Sequence, residues 1–145
     1  FGTRFVTINY GGWDMHSNIG DALKGRVPPL DKALAAFVED VHQQGLNEKI
    51  LLVVTGEFGR TKLNANGGRD HWPSISTMLM SGGRYDSGRV IGKADKSYTP
   101  SDSPYGPIDV AATMFDHFGI PESTQKVDNG GRPRYLLEGE AKIIL

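Results

Sequence analysis

No cysteine occurs in the sequence. Disulfides and thiolate metal sites are therefore excluded, and Asp, Glu and His are left as the side chains able to hold a metal. Charge of one sign is also lacking. The 16 Lys and Arg stand against 17 Asp and Glu, a formal net charge of -1 with no long basic run, so the chain is not built to neutralise nucleic-acid phosphates. The longest unbroken aliphatic run, Ile50 to Val54, falls far short of the roughly 18 residues a membrane span needs. No Gly-x-Gly-x-x-Gly or Walker-type loop is present, which removes support for nucleotide cradling. No repeat, low-complexity tract or internal domain boundary interrupts the 145 residues, a length that fits one domain of roughly 100 to 200 residues.

The remaining pattern alternates between strand-like and helix-like stretches. Arg4 to Asn9 is β-branched and partly alternating, and Tyr10-Gly11-Gly12 ends it, so a strand followed by a loop is predicted. Pro28-Pro29 precede Leu30, Leu34, Phe37, Val38 and Val41, which fall at helical spacing before Gly45; an amphipathic helix over Leu30 to Gln44 follows. Ile50 to Thr55 is a continuous apolar run suited to a central strand of a parallel sheet covered on both faces. Thr77 to Met80 and Arg89 to Ile91 are further short strand candidates. Lys93 to Gly106 has loop composition, and Ile108, Ala111, Ala112, Phe115 and Phe118 recur at helical spacing before Gly119 and Pro121. The Asn129-Gly130-Gly131 turn and the run Ile143-Ile144-Leu145 suggest a final hairpin or strand. The chain opens on Phe1 rather than methionine, almost directly into its first apparent strand. An upstream portion, able to carry half of an active site, is expected on that ground.

Three polar clusters hold the candidate chemistry: Gly12-Trp13-Asp14-Met15-His16, Thr55-Gly56-Glu57-Phe58-Gly59-Arg60-Thr61, and Gly67-Gly68-Arg69-Asp70-His71-Trp72-Pro73. Carboxylates and imidazoles beside glycine-rich turns suit a divalent cation such as Zn²⁺, Mn²⁺ or Mg²⁺. If the strands at 4–9 and 50–55 are parallel neighbours joined by the helix, the right-handed crossover puts their C-terminal ends on one edge of the sheet. Ligands bind at such an edge, and Asp14, His16 and Glu57 would share it. Residues i and i+2 of an extended chain project to the same side, so Asp14 and His16 can reach one ion. Each feature also has a plainer reading: a turn or capping pair for Asp14 and His16, a solvated loop carboxylate for Glu57, a loop-stabilising pair for Asp70 and His71. Their convergence on one edge favours the metal site. Arg60, Lys62 and Arg69 lie in the same loops, where a guanidinium could hold a phosphate or sulfate oxygen in bidentate fashion; Lys62 has the weakest case. His42 and His117 fall within predicted helices and are assigned no chemistry.

The motifs Trp13-Asp14-x-His16, Gly56-Glu57-Phe58-Gly59-Arg60-Thr61 and Gly68-Arg69-Asp70-His71-Trp72-Pro73 resemble the signature of DUF1501, a bacterial family of unknown function grouped with alkaline phosphatase-like and sulfatase-like enzymes. The likeness extends over nearly the whole chain, including Asp109-Val110-Ala111-Ala112-Thr113 with Phe118-Gly119-Ile120 and the tail from Gly131 to Leu145. The resemblance implies a three-layer α/β/α domain with a mostly parallel sheet, of which this chain is the C-terminal half. It also implies two metals bridged by a substrate phosphate or sulfate. Asp14 and His16 resemble ligands of one metal, and His71 the histidine completing that site. Glu57 and Phe58 stand where an Asp-His pair normally lies, and phenylalanine cannot ligate. The nucleophilic Ser or Thr and a first metal-binding Asp lie upstream in the superfamily.

The expectation is therefore a metal-dependent hydrolase-type domain acting on a phosphate- or sulfate-ester small molecule or glycan, incomplete without its upstream half. Asp14, His16, Glu57 and His71 would hold the metal, Arg60 and Arg69 the anion, with Asp70 supporting from behind. Family likeness adds an expectation of export. A non-catalytic metal-binding or structural module of the same fold is the alternative.

Overall fold

The computed structural model describes residues 2–102, 105–137 and 139–144. Helix α1 (Ile19–Gln43) begins well before Leu30 and passes through Pro28 and Pro29. The proline pair does not open the helix, as predicted, but sits inside it, where each ring removes one backbone hydrogen bond. Its end was legible. Gly45 takes φ 66, the Leu46 amide donates to the Val41 carbonyl and the Gly45 amide to the His42 carbonyl, a Schellman closure. Helix α2 (Pro107–His117) closes the same way at Gly119, with φ 68.

The predicted three-layer α/β/α architecture with a mostly parallel sheet is overturned. Among the described residues the strands form three separate two-stranded sheets, all antiparallel. Strand β1 (Leu51–Thr55) does form from the apolar run, but its partner is β4 (Met78–Gly82), in the register Leu51 to Gly82 through Thr55 to Met78. None of the β1 residues is fully buried, so it is not a strand covered on both faces. The segment predicted as a strand over Arg4 to Asn9 has no ladder partner and no regular structure; Phe5, Val6 and Ile8 are 62%, 72% and 87% exposed. A β-branched composition favours extended backbone, but a strand exists only where its amides find a neighbour. The crossover that was to bring Asp14 and Glu57 to one edge is thereby absent. Arg89 to Ile91 also forms no strand, and Val90 is 95% exposed.

Two polar segments that periodicity passed over make a hairpin, β2 (Gly59–Leu63) with β3 (Arg69–Trp72). The Asn129-Gly130-Gly131 turn joins β5 (Gln125–Val127) to β6 (Pro133–Tyr135), as expected of the tail. Asp128 holds it by accepting the amides of Gly130 and Arg132 at 2.8 and 2.9 Å. Ile143 and Ile144 belong to no strand. Phe1, Leu145 and positions 103 and 104 of the expected 93–106 loop lie outside the described residues; the rest of that loop is irregular apart from one bridge, Ala94 to Pro100.

The chain exposes 10968 Å², where a compact monomer of its mass exposes about 7,000 Å². Burial is correspondingly local. Among the described residues, Met15, Val41 and Ala112 are the buried hydrophobic side chains, and Asp109 and Thr113 the buried polar ones. The last two fasten the tail to α2. Asp109 accepts the Gly106 amide and the Lys142 amide, both at 2.6 Å, and Thr113 Oγ1 accepts the Ile144 amide at 2.9 Å while donating to the Asp109 carbonyl at 2.8 Å. Nearby, burial and then the hydrogen bond to Asp116 push the Tyr85 hydroxyl up to about 12.

Two predictions concern this clamp. Thr113→Val keeps the volume and leaves the Ile144 amide without an acceptor, so stability in denaturant titration should fall by about 1 to 3 kcal/mol. The amides of Gly106, then Lys142, hold the Asp109 carboxyl below its ordinary value of 3.8. Because the folded-state pKa is depressed, its contribution is fully present above pH 3.8 and is lost as pH falls through the folded value. Acid titration of wild type and Asp109→Asn should therefore show a stability gap at neutral pH that closes below that point.

Candidate metal centre

The candidate site is assembled by backbone before any side chain meets. Residues 15–19 lie along the β2–β3 turn: Arg69 N donates to Met15 O at 3.0 Å, Asn18 N to Asn66 O at 3.0 Å and Ile19 N to Gly67 O at 2.9 Å, and Ser17 forms an antiparallel bridge with Gly67. Burial of Met15 pins this strip from below. Gly68 makes the close approach possible, since a Cβ there would collide with the carbonyl group of His16 and the amide nitrogen of Ser17.

Three side chains converge on one oxygen. Asp14 Oδ1 lies 2.7 Å from Arg60 Nη1, 2.8 Å from His71 Nε2 and 3.0 Å from His16 Nε2. Arg60 and His71 are directly opposed in the β2–β3 register, which puts their side chains on one face. Asp14 and His16 emerge side by side, as i and i+2 do in extended chain. The His16 ring has a second carboxylate at its other nitrogen, Asp70 Oδ1 at 2.8 Å from Nδ1. Phe58 packs on His71 with ring centroids 4.3 Å apart, and the Arg60 guanidinium lies 5.3 Å from the Phe58 centroid.

The electrostatics follow from these contacts. Asp14 is held well below the usual carboxylate range, first by its hydrogen bond with His71 and then by Arg60. Asp70 is lowered by His16 and then Asn64, and His16 is raised, chiefly by Asp70. All of these groups face solvent: Asp14, His16 and His71 side chains are 61%, 47% and 47% exposed, so water screens their attraction.

Ligand atoms of Asp14, His16 and His71 lie within 4.8 Å of one another, the one group of three or more such residues among the described residues. Residues 1–145 match the family of proteins of unknown function DUF1501. The chain belongs to that family. No curated protein and no solved structure matches it.

Of the other residues singled out in this DUF1501 chain, Arg60 reaches the cluster and Asp70 backs His16. Glu57 does not join it. It sits exposed in the bend after β1, from which the chain turns into β2. Arg69 is a brace instead, donating from Nη1 to the Thr61 carbonyl at 2.7 Å. His42 and His117 lie in α1 and α2 as anticipated. Among the described residues no helix is long and apolar enough to cross a membrane. Sequence reasoning missed Asn64, which bonds to both halves of the site; the signal available was the Asn66-Gly67 pair, a strong mark of a hairpin turn, with an Asx residue just before it.

Gly68→Ala should separate the 15–17 strip from β3. Zinc affinity measured by calorimetry should drop more than tenfold, while the far-ultraviolet circular dichroism from α1 and α2 stays near wild type.

Proposed function

We propose that Asp14, His16 and His71 hold a divalent cation and that the centre serves hydrolysis of phosphate or sulfate esters, the chemistry of the alkaline phosphatase-like and sulfatase-like enzymes whose motifs the sequence resembles. The observation that carries the metal reading is His16 with a carboxylate oxygen at each ring nitrogen. An ionised carboxylate only accepts hydrogen bonds. A neutral imidazole has one N–H, so one of the two contacts sets a lone pair against a carboxylate oxygen. Either a second proton or a cation must lie between them. Two imidazoles and a carboxylate are also a donor set suited to zinc, and Asp70 behind His16 is the carboxylate that metal-bound histidines commonly have at their other nitrogen.

A bound divalent cation would supply a Lewis acid for an ester oxygen. The chain's own residues do the rest. Asp70 fixes the His16 ring, Phe58 and Arg60 fix His71 and Asp14, and Arg60 brings a guanidinium with several N–H donors to the place where an ester anion would sit. One observation favours a non-catalytic metal-binding module instead: Phe58 lines one side of His71 with an apolar ring, where a further ligand would be needed for a second cation.

The test is titration of Zn²⁺, Mn²⁺ and Mg²⁺ by calorimetry into wild type, His16→Ala and His71→Ala, with p-nitrophenyl phosphate and p-nitrophenyl sulfate as ester probes. Each alanine variant should lose at least tenfold in affinity and any ester turnover with it. Affinity that survives both substitutions rules out the site, and metal binding without turnover selects the non-catalytic module.

A further inference from the structure

We propose that Asn64 is the positioning residue of this centre: it locks Asp70 to His16 so that the imidazole keeps its proton on Nδ1 and offers Nε2 toward Asp14 and a cation. This rests on the metal reading above for its consequence, though not for its geometry.

The Asn64 carboxamide is held at both ends. Its Oδ1 accepts the amides of Asn66 and Gly68, each at 3.0 Å. Its Nδ2 donates to the His16 carbonyl at 3.1 Å and faces both Asp70 oxygens at 3.3 and 3.4 Å. The partners leave no choice of amide orientation, because backbone N–H groups only donate and carbonyl and carboxylate oxygens only accept. The count of protons also closes: one N–H goes to the His16 carbonyl, and the other is shared between the two carboxylate oxygens.

A closed triangle results. The His16 ring meets Asp70, Asp70 meets Asn64, and Asn64 returns to the backbone of His16 itself. Asp70 is 55% exposed, and an exposed carboxylate on its own rotates freely. Tied to Asn64, it becomes a fixed acceptor at His16 Nδ1. The tautomer of a ligating histidine is set by the hydrogen bond at its other nitrogen, so this fixed acceptor decides which nitrogen is left for a metal. Asn64 in turn is anchored by the turn that carries Gly68, its own amide donating to the Gly68 carbonyl at 2.8 Å. The same residue therefore builds the hairpin turn and sets the ring behind it.

The two roles separate in the variant Asn64→Asp, which keeps an oxygen for the turn amides and loses both N–H donors. Long-range proton–nitrogen NMR on metal-free full chain, at a pH where His16 is neutral, reads the tautomer directly. Wild type should show His16 with Nδ1 protonated, and Asn64→Asp a mixture, with the His71 signals unmoved. Zinc affinity should fall tenfold or more, the scale seen for residues that support metal ligands from behind. Measured at a pH where His16 is neutral in both proteins, so that protons do not compete, the added carboxylate would by itself raise affinity and a fall is not a charge effect. Asn66→Ala, which removes an exposed side chain and keeps the backbone amide that Asn64 Oδ1 accepts, should change neither readout. If Asn64→Asp does not fold, Asn64→Ser, whose hydroxyl keeps a turn acceptor, takes its place. An unchanged His16 tautomer overturns the inference. If wild type binds no zinc, the metal reading fails, and the tautomer comparison still decides the role of Asn64.

Discussion

A single carboxylate oxygen governs this structure. Asp14 Oδ1 has Arg60 Nη1, His71 Nε2 and His16 Nε2 within 3.0 Å, and one carboxylate oxygen offers about two lone-pair sites. Three nitrogens cannot all form good hydrogen bonds to it. The crowding persists because backbone holds it: the 15–19 strip is bonded to the β2–β3 turn by three amides, and Gly68 lets the two chains touch. The side chains meet where the main chain puts them, at a point already over-supplied with nitrogen. Under the proposed function a divalent cation would take a lone pair from each imidazole and from Asp14, replacing two of these three crowded contacts.

The rest of the fold distributes its order unevenly around this point. The α2 helix and the tail are joined through Asp109 and Thr113, whose side chains accept backbone amides as a strand neighbour would. The β1–β4 ladder and the β5–β6 hairpin are each two strands wide, and a lone pair of strands buries little apolar surface. Phe5, Val6 and Ile8 consequently stay in water. The site does not depend on a deep core. It depends on one turn, one bulged hairpin and one buried methionine, all local to it.

Which features could be read from the sequence follows from how local their causes are. The second half of α1, the body of α2 and their glycine stops were legible because helical spacing and a positive-φ glycine act over a few residues. The strand at Leu51 was legible as a strand, since an apolar run says that much, but its antiparallel partner at Met78 is a distant choice that the run does not encode. The hairpin of Arg60 and His71 went unseen because its strands are polar and lack alternation; Asn66-Gly67 builds it instead. Asp14, His16 and His71 stood out because ligand chemistry was gathered beside glycines, and the structure brings their ligand atoms together. The placement of Glu57 with them assumed a parallel edge that does not exist. The chain bends after β1, and of the two residues expected there only Arg60, three residues on, reaches the cluster.

The presence of Arg60 without Glu57 bears on what the centre attracts. With neutral imidazoles, Asp14 and Asp70 contribute two negative charges and Arg60 one positive, so the cluster carries one net negative charge. A second arginine would neutralise it; Arg69 is turned away to the Thr61 carbonyl. A further carboxylate from Glu57 would deepen the negative charge, and a divalent cation would then leave the centre neutral. Without Glu57, a divalent cation carries the cluster to one net positive charge, beside a guanidinium with donors to spare. In that state the field at the centre favours an anion, and before it the field opposes one. Under the proposed function the cluster would therefore take its ligands in order, cation first and ester anion second, because the bend after β1 brings Arg60 and not Glu57 to it.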